Sequence, residues 1–144
     1  MGENEHILIS LEARHAENIF AGRKRVELRR RTMNVSPGDT LWIYVKLPVG
    51  SIVGHATIGE VRASSPTALW RRYGPVSGLS RHEFFEYFGE VEQGFALVLE
   101  QSTRLQSSLS LEALRRVDGG FQPPQFFARL RSEHPLHEAV TSSV

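Results

Sequence analysis

The nine residues from Arg23 to Arg31, RKRVELRRR, set six cations around a single carboxylate, Glu27. Lysine and arginine donors grip phosphate oxygens or base edges, and a carboxylate accepts from an exocyclic amine, so this mixture suits a nucleotide-like ligand. Gly22 precedes the cluster and permits a sharp turn, giving the spacing Gly22-x-Lys24-x-x-x-x-Arg29. Lys24 and Arg29 are five positions apart and would fall on opposite faces of one regular strand. For both to reach one cleft, Lys24 must belong to the turn, or a bulge must intervene. The residues alone leave a second reading open, in which Arg25, Glu27, Arg29 and Arg31 are a solvated strand face with surface ion pairs worth at most ~1 kcal/mol each. Arg30 and Arg31 fit either reading equally well.

The neighbouring sequence predicts the elements that would place these groups. HILISL, residues 6–11, reads as a strand. From about Ala13 to Ala21 the apolar residues Ala16, Ile19 and Phe20 recur at helical spacing, with Gly22 as the left-handed stop. Lys24 to Arg31 alternates, putting Val26 and Leu28 on one side and the charged residues on the other. Further strands are expected at Thr40–Lys46 and Ser51–Val61, the second with two glycines where it can bend. Ser65-Pro66 predicts a capped helix to Tyr73, and Ser80-x-x-Glu83 is a capping box opening a helix to Phe88. Strands at Gly94–Gln101 and Thr103–Ser108 follow, then a helical turn near Leu111–Arg115. A last short helix is expected after Pro123-Pro124, carrying Phe126, Phe127 and Leu130, and residues 131–144 are expected to be a flexible tail. About six strands with peripheral helices make an α+β fold, a small mixed barrel.

Other groups are more ambiguous. Arg71 and Arg72 beside Trp70 offer a second basic patch with an aromatic for stacking, or merely cations at a helix C-terminus. Phe84, Phe85, Tyr87 and Phe88 point several ways around one helix; Phe84 and Phe88 suit the core, while Phe85 and Tyr87 are available to a ligand or a protein partner. The six histidines are scattered, and only His134 and His137 are near each other, so no metal site and no cofactor are expected. No phosphate-binding glycine loop, nucleophile elbow or carboxylate pair with a base occurs.

Composition bounds the rest. The 144 residues suit one domain, and 17 Lys+Arg against 16 Asp+Glu leave a net charge of +1, so the basic cluster is local. There is no cysteine, hence no disulfide or thiolate chemistry. No apolar run approaches the ~20 residues of a membrane span. The acidic opening Met1–Glu5 lacks a secretory pattern, and a cytoplasmic monomer is expected.

Taken together, the Gly22-Lys24-Arg29 spacing, the Ser36-Pro37-Gly38-Asp39 turn, the run from Ile52-Val53-Gly54 to Ile58-Gly59, the helices at Ser65 and Ser80 and the closing Pro123-Pro124-Gln125 resemble, in order, the ASCH domain of the PUA-like superfamily. The resemblance spans about residues 6 to 130. It implies a PUA-like barrel that is a non-catalytic reader of RNA or of a modified nucleotide, with Lys24, Arg25, Arg29 and Arg30 on phosphates and Glu27 and Gln125 reading a base edge, a path that Arg71 would extend. It also implies an alternative, since some members are small amidohydrolases on acylated cytidine and others are ribonucleases. The lysine of the hydrolase branch matches Lys24, but the threonine three positions on is replaced by Glu27. Lys24 and Glu27 would then be the catalytic pair.

Overall fold

The first strand is buried on both faces, and this determines the layering. The computed structural model describes residues 4–144; Met1, Gly2 and Glu3 of the acidic opening lie outside them. β1 (His6–Leu11) pairs in parallel with β3 (Thr40–Val45), and the chain between them forms α1 (Ala13–Phe20) and β2 (Val26–Arg29). β4 (Ser51–Ser64) and β5 (Gly94–Ser110) are long antiparallel partners, with α2 (Pro66–Tyr73) and α3 (Arg81–Phe88) between them. α4 (Leu111–Val117), β6 (Ala128–Arg129) and α5 (Pro135–Thr141) complete the described chain. The strand order is β2-β5-β4-β3-β1-β6, one curled sheet forming a half-barrel with helices around it, in the α+β class expected.

Ile7, Ile9, Leu41, Ile43, Ala56, Ile58 and Leu97 pack inside the curl with Ala16 and Ile19 of α1. The opposite face, Leu8, Trp42, Tyr44 and Ile52, is covered by Leu114 of α4 and by Leu136 and Val140 of α5. Val26, Leu28 and Ala96 carry α2 and α3 through Leu69, Tyr73, Phe84 and Phe88. Each side chain of ordinary size so buried contributes about 1.5–3 kcal/mol.

Local signals formed as their chemistry dictates. Gly22 adopts φ +79° and reverses the chain after α1. The Ser65 hydroxyl accepts from the Ala68 amide at 3.2 Å, and Ser80 and Glu83 make both capping-box bonds.

Four expectations need correction. The two strands foreseen at 94–101 and 103–108 are one, with Gln101 at φ +51° where the pairing with β4 slips between His55 and Thr57. The charged alternation foreseen over 24–31 is regular only over Val26–Arg29. No helix follows Pro123-Pro124; a loop leads to β6, which takes the free edge of β1. Residues 131–144 are not a flexible tail throughout, because α5 buries Leu136 and Val140 four positions apart against the sheet. Replacing Leu136 with alanine is therefore expected to cost about 2–5 kcal/mol in urea unfolding. A loss within the ~0.5 kcal/mol of a surface change would show that α5 does not belong to the core.

Candidate nucleic-acid cleft

α1 ends against Gly22, and the amides of Arg23 and Lys24 both donate to the Asn18 carbonyl at 2.9 Å. This tight reversal places Lys24 just ahead of β2, which resolves its spacing from Arg29: the lysine belongs to the turn. Its side chain runs inward past Gly78, and Nζ donates to the Ser77 carbonyl at 2.7 Å. Lys24 is only 4 % exposed. Burial pulls its pKa below the ordinary lysine value, and the Glu27 carboxylate pushes the other way.

Cross-strand pairing decides where the β2 side chains go. Glu27 lies opposite Leu97, a residue of the inner core, whereas Val26 and Leu28 lie opposite Val98 and Ala96 on the outer face. Glu27 and Arg29 therefore project into the mouth of the half-barrel. Glu27 is 6 % exposed, and its carboxylate meets Arg29 Nη2 at 2.9 Å. Arg29 Nη1 donates to the Phe126 carbonyl at 3.0 Å, and its buried Nε has no protein partner.

These groups line a cleft of about 550 Å³ at the C-terminal ends of β1 and β3. Ser10, Glu12, Arg14 and His15 come from β1 and the start of α1, Lys46 from the end of β3, and His82, Glu83, Glu86 and Tyr87 from α3. Tyr87 donates its hydroxyl to the Leu28 carbonyl at 3.0 Å, so α3 is bolted across β2 as one wall. Arg14 pairs with Glu83 at 2.5 Å; this bond, with the Ser80 amide, holds the Glu83 carboxyl down at about 2. His15 has a buried Nδ1 without a partner. Its pKa is lowered, chiefly by burial and then by the Lys24 and Arg14 charges.

Of the residues singled out from sequence, Lys24, Glu27 and Arg29 share this cleft. Arg25 turns away, with Nε donating to the Gly22 carbonyl, and Arg71 lies with it in a neighbouring groove. Arg30 is exposed beyond the end of β2 and does not line the cleft. Gln125 is exposed and not among the lining residues, although the flanking Pro124 and Phe126 carbonyls accept from Ser10 and Arg29. Sequence reading passed over His15, Lys46 and Arg14. For His15 a signal existed: it sits four residues before buried Ile19, a titratable group on the apolar stripe of α1. Among the described residues no three His, Cys, Asp or Glu side chains are grouped to hold a metal ion. No described helix is long and apolar enough to cross a membrane.

The curled six-stranded half-barrel with its surrounding helices is the fold of an ASCH domain, a PUA-like architecture. The chain belongs to the ASCH domain family, with residues 9–102 matching it. It is 32% identical over 131 residues to an ASCH domain-containing ribonuclease of Zymomonas mobilis, covering 91% of this chain and 88% of the relative. The crystal structure of ASCH from Zymomonas mobilis superposes with a TM-score of 0.90 at 30% identity, over 99% of this chain and 98% of that one. The N-terminal domain of Thermococcus gammatolerans McrB, solved bound to m5C DNA, shares the fold at 13% identity and a TM-score of 0.56, over 96% and 98% of the two chains.

The lowered His15 pKa has a definite sign in stability. The unfolded chain takes up the proton first as pH falls, so stability declines from ~6.5 downward until the folded ring also protonates. His6 and His55, likewise lowered by burial, act in the same direction. The NMR titration of the His15 ring is expected to have its midpoint below the ordinary value, and the urea midpoint to fall between neutral pH and mild acid. A ring midpoint at or above ~6.5 would contradict the buried environment described.

Proposed function

We propose that the cleft binds single-stranded RNA and cleaves its backbone. The observation that carries this reading is that the buried Lys24 ammonium, the His15 imidazole and the Glu27-anchored Arg29 line one cleft, with the Lys24 charge acting on His15 and the Arg29 charge on Lys24. The ribonuclease name of the Zymomonas mobilis relative supports it.

RNA carries its own nucleophile, the 2′-hydroxyl. Attack on the adjacent phosphorus forms the 2′-O–P bond and breaks the P–O5′ bond, leaving a 2′,3′-cyclic phosphate and a 5′-hydroxyl. His15, neutral because burial disfavours its charge, takes the 2′-hydroxyl proton. Lys24 and Arg29 face the non-bridging oxygens, where negative charge builds in the transition state. Lys24, its pKa lowered, gives the proton to the departing 5′ oxygen. Exchange through water between His15 and Lys24 restores both. Glu27 is a positioning group: its carboxylate is engaged by Arg29, so it is poorly placed to serve as a base toward water. This argues against the acylcytidine hydrolase alternative, in which position 27 would bear the nucleophilic threonine.

End-labelled RNA provides the test, with products identified by mass spectrometry. Lys24→Ala is expected to lower kcat/KM by about 10²–10³, and His15→Ala by about 10²–10⁴. Binding to the wild-type protein should weaken steeply from low to physiological salt. Cleavage undiminished in both variants, or a wild-type protein that neither binds nor cuts RNA, would refute the proposal. Turnover of N4-acetylcytidine lost in Lys24→Ala would instead favour the hydrolase alternative.

A further inference from the structure

The cleft is poor at attracting a polyanion. Arg14, Lys24, Arg29 and Lys46 are matched there by Glu12, Glu27, Glu83 and Glu86, and Arg14 and Arg29 are already paired. The adjoining groove is different. It encloses about 910 Å³ and is lined by Arg23, Arg25 and Arg71, with no carboxylate among its lining residues. Its wall includes Trp70, whose ring is packed against Phe84 at 5.1 Å between centroids and lies so close to Gly74 that a Cβ there would come within 2.9 Å of the indole.

The turn after α1 feeds both sites. Of three consecutive residues, Arg23 and Arg25 line the groove while Lys24 lines the cleft. The partition between them is the loop that supplies Ser77 to Lys24; Leu79 lines both sides, and Gly78, at φ +72°, rests on the Lys24 side chain. A side chain at Gly78 would press on the Lys24 stem, at 3.3 Å from its Cβ, so the glycine lets the loop lie against the lysine. Arg23 is held by Nε on Asn18 Oδ1 at 3.0 Å, and Arg25 by Nε on the Gly22 carbonyl at 3.2 Å. Each keeps its terminal guanidinium nitrogens for another acceptor.

We infer that the Arg23, Arg25, Arg71 and Trp70 groove is a second subsite, which holds the phosphates and one base of the RNA strand where it leaves the cleft over Gly78. The inference rests on the RNA reading of the cleft and divides the work: the groove supplies affinity and its salt dependence, and the cleft supplies the chemistry. Arginine forks take the phosphates, and the fixed indole offers an edge or face to a base without sequence preference.

The experiment compares the wild-type protein with the combined Arg23→Ala, Arg25→Ala, Arg71→Ala variant, after thermal melting shows both folded. The probes are a short single-stranded RNA and a dinucleotide too small to span both sites. For the longer RNA, the variant's affinity should fall about tenfold or more, and its log–log salt slope should flatten by about 2, from roughly 0.7 per lost phosphate contact. Its kcat/KM on the dinucleotide should match the wild type. Emission from Trp70 should be quenched by the longer RNA in the wild type only, since Trp42 is 1 % exposed. Equal slopes and affinities in the two proteins sink the subsite and leave the cleft reading intact. A wild-type protein that binds no RNA overturns both.

Discussion

One buried ammonium organises the region around the cleft. Taking Lys24 out of water carries a desolvation penalty of several kcal/mol unless fixed acceptors replace its hydration. The Ser77 carbonyl is one replacement and the field of Glu27 another. Each requires its own scaffold. Ser77 is held in a closed loop, its hydroxyl donating to the Gly74 carbonyl at 2.8 Å and accepting from the Leu79 amide at 3.2 Å. That loop is suspended between α2 and α3, and both helices are anchored by apolar contacts to the outer face of β2 and β5. Glu27 needs β2 to be in register with β5, which turns it inward opposite Leu97. The turn at Gly22, two helices and two strands thus converge on a single charge.

The sheet is curled but its two edge strands do not pair, and the cleft opens beside that seam. Backbone edges left bare invite pairing with other chains. Here arginines from either side span the gap. Arg29 of β2 reaches the Phe126 carbonyl ahead of β6, while Arg129 of β6 donates to the Met33 and Asn34 carbonyls at 2.6 and 2.7 Å and meets Glu5 at 2.7 Å. The incomplete barrel trades backbone pairing for guanidinium bridges, and one of those arginines is itself a wall of the cleft.

What was legible in the sequence follows the range of the interaction concerned. Gly22, Ser65-Pro66 and the Ser80–Glu83 box act over a few residues, and each formed as read. The Lys24–Arg29 spacing was informative because a strand's period of two is rigid, so a five-residue offset required either a lysine in the turn or a bulge, and the structure has the turn. The errors lie where a distant partner decides. α5 has just two buried apolar positions, and its stability comes from the face of β1 and β3 that receives them. Residues 123–127 look helical by spacing, but the free edge of β1 and the Arg29 and Ser10 donors claim the backbone instead. Arg25 looked like a neighbour of Glu27 by alternation, yet it precedes the strand and faces the other side.

The near balance of charge in the cleft has a chemical logic of its own. Arg14 and Glu83 satisfy each other, as do Arg29 and Glu27, and His82 contacts Glu86 at 2.8 Å. Among the described residues this leaves Lys24 and Lys46 as the lining cations without a carboxylate contact, with Glu12 as the lining carboxylate without one. Paired groups are held in fixed geometry and give the site shape, while the lysines keep donors available for an incoming oxygen anion. His15 depends on the same balance: a more cationic cleft would bind polyanions better but depress its pKa further and weaken it as a base. If the proposed arginine groove attracts the strand, that conflict is relieved, because the charges acting on His15 are those of Lys24 and Arg14 and include none from Arg23, Arg25 or Arg71. On this reading the partition at Ser77–Leu79 has an electrostatic purpose as well as a structural one.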